Sequence, residues 1–221
     1  MSGVEIVLVH GSWHGSWCWE LLRDELGALG RVTHVVDLPS MDGPGYGVEA
    51  DTKVVREKVD SIGTSVVLLG HSYGGVVISQ ASAGDRLVYL AAFMLDEGQS
   101  PLSTVGQELP PGLDMLPPPA DPIDMFYADV PADLARDAVS RLRPQSAQAA
   151  RDRQIGAGWR DIPSTYVLCE QDRAVPPALQ EQMSQRANEI WRLDAGHSPF
   201  LSMPRELAVL LDEIASAVDN A

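Results

Sequence analysis

Lysine and arginine are scarce in this chain. Its 221 residues carry 16 of them against 31 aspartates and glutamates, for a net charge of −15. No basic stripe of the kind that neutralises phosphates runs along it, so nucleic acid and an anionic membrane surface are not expected partners. Cysteine is scarcer still. Cys18 and Cys169 are the whole set, too few and too far apart for a disulfide framework or a zinc site, and a reducing, cytoplasmic setting is expected. Long apolar runs are missing, so no membrane span is expected. The opening Met1-Ser2-Gly3-Val4-Glu5 has neither the basic nor the apolar stretch of a signal peptide. No metal or other cofactor is expected either. His10 and His14 share a loop without a third ligand nearby, and the glycine runs lack the phosphate-loop patterns. What is present is ordinary for a soluble globular protein: 45% hydrophobic and 21% charged residues, on a length that can bury one full core.

Short β-branched runs alternate with longer helical patterns. Strands are predicted at Glu5–Val9, Val32–Asp37, Ser65–Leu69, Arg86–Ala91, Thr165–Cys169 and Ile190–Leu193. Most are continuously apolar, as strands covered on both faces must be. Helices are predicted at Trp17–Leu29, Val48–Ser61, Gly75–Ala83, Pro177–Ala187 and from Pro204 onward. In the last of these Leu207, Leu210, Leu211, Ile214 and Val218 fall on one face. The alternation predicts an α/β fold: a mainly parallel, six-stranded sheet flanked by helices on both faces. The whole chain, 1–221, reads as a single domain. From about 96 to 163 the rhythm breaks into a loop rich in proline and glycine, followed by a helical pattern with Leu134, Ala138, Val139 and Leu142 on one face. This reads as a cap insertion over the carboxyl edge of the sheet.

The strongest local signal for chemistry is Gly70-His71-Ser72-Tyr73-Gly74, set between a strand and a helix. A serine there projects from a tight, strained turn, with the positive end of a helix beneath it. A serine hydroxyl needs a base, and the base needs an orienting acid. His197, between the last strand and the last helix, is the expected base. His34 reads as structural, and His71 is expected to point away from the serine. Asp172 is the expected acid, because it follows a strand and lies between Ser72 and His197 in chain order. Asp96 and Glu170 are its rivals, and an ion pair with Arg173 is the alternative use of Asp172. The oxyanion donors are expected to be the N–H groups of Tyr73 and of Ser12, the latter in the loop His10-Gly11-Ser12-Trp13-His14-Gly15. Trp13 and His14 of that loop are expected to touch substrate.

With these residues in view, the chain resembles the α/β-hydrolase superfamily, and within it the plant methylesterase and hydroxynitrile lyase group with its bacterial relatives. The segments that carry the resemblance are Val7–Trp17, Gly70–Gly75, Tyr89–Met94, Tyr166–Asp172 and Gly196-His197. The resemblance implies a triad at Ser72, Asp172 and His197, an oxyanion hole at Ser12 and Tyr73, and a cap enclosing an apolar acyl or aromatic pocket. It also implies a substrate that is a small, fairly apolar carboxylic ester, such as a methyl ester. The lyases of the group call for threonine at the position of Ser12 and lysine directly after the catalytic histidine. Here Ser198 follows His197, so esterase chemistry through an acyl-enzyme is the expectation. Lyase or other acid/base chemistry at the same residues, or a small-ligand receptor with little turnover, are the alternatives. Neither the natural ester nor the oligomeric state is legible in the sequence.

Overall fold

A period of two along a strand sends alternate side chains to opposite faces of a sheet. In the computed structural model, which describes residues 3–220, both sets are buried. The main sheet has six parallel strands: β1 (Glu5–Val9), β2 (Thr33–Val36), β3 (Val66–His71), β4 (Arg86–Leu90), β5 (Ser164–Cys169) and β6 (Glu189–Leu193). Their spatial order is β2-β1-β3-β4-β5-β6. Ile6, Leu8, Val67, Leu69, Val88 and Val167 enter one core, closed by α1 (Glu20–Ala28) and the last helix. Val7, Val9, Val66, Leu68, Leu87 and Leu168 enter the other. That second core is closed by α2 (Val48–Asp60), α3 (Gly74–Ala81) and the helix Pro177–Ser184. This is the expected doubly covered α/β architecture. Only the edge strand β6 is largely exposed.

Element boundaries differ from the sequence reading where tertiary contacts override local preference. The third strand runs on through Gly70 to His71, because those residues pair with Tyr89 and Leu90 of β4. The helix expected at Trp17–Leu29 is split into a tight turn at Ser16–Trp19 and α1. The helix after β3 stops at Ala81, because Ser82 turns left-handed at φ 50°.

Residues 96–163 are built from short pieces. A longer helix, α4 (Ala132–Arg141), buries Ala135 and Ala138 and packs Leu134, Val139 and Leu142 against the first core. The helix Pro177–Ser184 is α5, and Pro204–Asp219 is α6. An antiparallel ribbon pairs Met115–Leu116 with Gln145–Ser146, and a one-turn helix covers Pro122–Phe126, capped by the Asp121 side chain. The segment is bonded to the loop that leaves β1. Trp13 Nε1 donates to Leu116 O at 3.0 Å, and the Arg143 N–H donates to Trp13 O at 2.9 Å. Among the described residues, no helix is long and apolar enough to cross a membrane, and no group of three or more His, Cys, Asp or Glu side chains could hold a metal ion.

Candidate active site

The turn from β3 into α3 forces Ser72 to φ 52°, a left-handed conformation that is strained for any residue with a Cβ. Glycines make the turn possible. A Cβ on Gly70 would lie 2.5 Å from Gly74 O, and one on Gly74 would lie 2.6 Å from Val9 O. Strand, helix and the neighbouring strand therefore approach in a way no larger residue permits. The strained backbone is held on three sides. Ser72 N–H donates to Leu90 O, while Ser72 O accepts from Gly75 N–H and Phe93 N–H.

His197 reaches the same rim from the loop after β6. Its Nδ1–H donates to Asp172 Oδ2 at 2.8 Å, and both side chains are all but fully buried. The other contacts of Asp172 show why this carboxylate is available. Oδ1 accepts from the N–H groups of Ala174 and Val175 at 2.7 and 2.9 Å, and Oδ2 also accepts from Gln180 Nε2 at 2.9 Å. Four donors on one carboxyl group fix its orientation. Its rivals are elsewhere: Asp96 pairs with Arg160, and the exposed Glu170 lies beside Arg192. Arg173 pairs with Asp124, not with Asp172. Ser72 Oγ makes no hydrogen bond among the described residues, so the contact expected between it and His197 is not made.

His71, expected to point away from the serine, is engaged beneath His197. It is fully buried, its Nε2–H donates to His197 O at 2.8 Å, and the two rings lie 4.5 Å apart. His71 thus supports the backbone of the expected base. The expected oxyanion donors are unspent: neither Ser12 N–H nor Tyr73 N–H is bonded to any described residue. Gly11 lets their loop come against the turn, since a Cβ there would sit 2.9 Å from Ser72 Cβ. Trp13, expected to touch substrate, is left-handed at φ 63° and stacks on Phe126 at 5.7 Å. His14 departs from expectation. It is buried, Nδ1–H donates to Ser12 O at 2.8 Å, and Nε2 accepts from the Tyr127 hydroxyl at 2.7 Å. Both nitrogens are engaged inside the protein, so its polar atoms do not serve a substrate.

Sequence reasoning missed Gln180, Asp51, Tyr127 and Asp129. Asp51 is buried and accepts from Ser40 N–H and the Tyr73 hydroxyl at 2.8 and 2.7 Å, which anchors the residue after the serine. None of the four lies in a motif, and only the folded chain brings them to the site.

Burial also sets the ionisation here. It pushes His10 down to about 4 and His14 down to about 3, from an ordinary 6.5, and holds His71 well below that value. Below pH 6.5 the unfolded histidines bind protons that the folded ones refuse, so stability is lost as pH falls from about 6.5 toward about 4. His10 and His14 each contribute about 1.4 kcal/mol per pH unit in that window, and His71 acts in the same direction. Asp51, pushed up to about 6 by burial, acts in the opposite sense, because between about 4 and 6 only its folded form holds the proton. Three histidines outweigh one carboxyl. The unfolding free energy from urea titration is expected to be lower at pH 5 than at pH 7 by at least about 2 kcal/mol. A flat or rising value would show that these rings ionise freely in the fold.

A strained serine at the strand–helix turn, a buried His–Asp pair and unbonded N–H groups thus gather at the carboxyl edge of a doubly covered parallel sheet, the fold of the α/β-hydrolases. The chain belongs to that class: the alpha/beta hydrolase family model matches residues 6–210. Among its relatives, it is 30% identical to a carbendazim hydrolyzing esterase of Nocardioides, over 91% of this chain and 96% of that one. It is also 30% identical to a putative chloroplastic methylesterase of Arabidopsis thaliana, over 95% of this chain and 63% of that one. A solved methylesterase from Arabidopsis shares the fold with a TM-score of 0.81 at 23% identity, over 96% of this chain and 99% of that one.

Proposed function

We propose that this chain hydrolyses a small, fairly apolar carboxylic ester through an acyl-enzyme, as a serine carboxylesterase or methylesterase. The observation that carries the reading is the buried hydrogen bond of His197 Nδ1–H to Asp172 Oδ2. It leaves Nε2 as the basic nitrogen on the side of the ring away from the carboxylate. In this scheme His197 Nε2 takes the proton of Ser72, and Ser72 Oγ attacks the ester carbonyl. The oxyanion is met by the N–H groups of Ser12 and Tyr73, each such donor contributing about 3 kcal/mol. The tetrahedral intermediate collapses as His197 gives its proton to the leaving alcohol. Water, activated by the same nitrogen, then releases the acid and frees Ser72.

The whole chain is read as one domain, with residues 96–163 as a cap. Phe126, from the one-turn helix of that cap, lies 5.6 Å from the His197 ring and stacks on Trp13. Those two aromatic faces offer an apolar wall for substrate. The esterases among the relatives support the reaction class. The two cysteines are buried and free, which suits the reducing cytoplasm.

Fluorophosphonate labelling with peptide mapping tests the proposal. The expected result is a single adduct on Ser72, abolished by prior denaturation. Folded protein that takes no label would overturn the hydrolase reading, and a label without turnover of any simple ester would favour the receptor.

A further inference from the structure

The four residues Phe126-Tyr127-Ala128-Asp129 reach two loops from opposite ends of the chain. Asp129 Oδ2 accepts a hydrogen bond from Gly196 N–H at 2.7 Å, one residue before His197. A side chain at position 196 would strike that carboxylate, so the contact requires glycine there. Tyr127 is 1% exposed and donates its hydroxyl to His14 Nε2, whose ring passes the connection on to Ser12 O. Phe126 lies between them, its ring 5.6 Å from His197 and 5.7 Å from Trp13. Just before it, Asp124 pairs with Arg173, the neighbour of Asp172.

Neither loop is held by regular structure. The N–H groups of residues 11–15 are unbonded among the described residues, and Trp13 is left-handed at φ 63°. The tilt of the His197 imidazole follows the backbone of residues 194–197, which is likewise outside any strand or helix. Resting on the reading of Ser72, His197 and Asp172 given above, we infer that residues 124–129 form a latch setting the base loop and the oxyanion loop in register with each other. Asp129 and Tyr127 are its positioning residues. Both act through Gly196 and His14 and touch no reacting atom. Displacing the segment moves both loops together, and a misplacement of about 1 Å at a reacting group costs on the order of 100-fold in rate.

Hydrogen–deuterium exchange on the full chain, read beside the rate of fluorophosphonate labelling, tests this. Asp129→Ala is expected to speed exchange in peptides covering 194–198 and also in those covering 10–19. It is expected to slow labelling of Ser72 by on the order of 10- to 100-fold. Asp129→Asn keeps an acceptor oxygen and is expected to stay near wild type in both. Tyr127→Phe keeps the buried ring and removes one oxygen, and is expected to loosen 194–198 from the other end. The Tyr127→Phe/Asp129→Ala pair is expected to slow labelling by less than the product of the single effects, as members of one unit do. Loosening confined to the loop each residue touches, or multiplicative effects on labelling, would overturn the latch and leave two local supports. Wild-type protein that takes no label, with both loops still loosened by Asp129→Ala, would remove the triad reading and keep the latch.

Discussion

Ser72→Ala is expected to lower kcat for p-nitrophenyl acetate by at least about 10⁴-fold, with KM changed little. The alanine keeps the Cβ and the left-handed turn at position 72, so the glycine packing around it and the folded state are retained. What it removes is the atom proposed to attack. The slow turnover left behind reflects binding and the Ser12 and Tyr73 N–H groups acting on solvent attack. Circular dichroism and urea unfolding should match wild type. Activity above about one hundredth of wild type would place the nucleophile elsewhere.

Asp172→Asn is expected to cost on the order of 10⁴-fold in kcat, although it changes one atom. Oδ2 of Asp172 accepts from both His197 Nδ1–H and Gln180 Nε2, and Oδ1 accepts from two backbone N–H groups. An asparagine cannot present acceptors in both places. If its oxygen faces Ala174 and Val175, its NH₂ points at the imidazole. The ring then accepts at Nδ1 and carries its proton on Nε2, the nitrogen that has to take the serine proton. The loss should sit in kcat, and the labelling rate of Ser72 should fall with it. A variant with near-normal kcat would make Asp172 a structural cap of its turn.

The parts of this site differ in how visible they were beforehand. The glycines at 70, 74 and 75 and the serine among them are legible because backbone sterics act over a few residues. Strand, strained turn and helix must follow one another directly, and the pattern is local. His197 and Asp172 are legible through chain order at strand ends, a constraint of topology. His14 was expected to touch substrate from its loop beside the serine, while its Nε2 is taken by Tyr127, more than a hundred residues away in the chain. The partner of His71, the carbonyl of His197, was not legible for the same reason. Gln180 sits in an ordinary helical turn, and nothing local separates it from Gln182.

Strand composition and glycine spacing thus determined by themselves the doubly covered sheet, the turn that raises Ser72, and the rim on which His197 and Asp172 arrive. Those are matters of period, size and backbone freedom within a few residues. The tertiary structure alone decided which donors hold the Asp172 carboxylate in place, which N–H groups stay unspent, and how the segment 124–129 is fastened to the loops around them. Hydrogen bonds at about 3 Å between residues far apart in the chain depend on how elements pack, and packing is a property of the assembled fold.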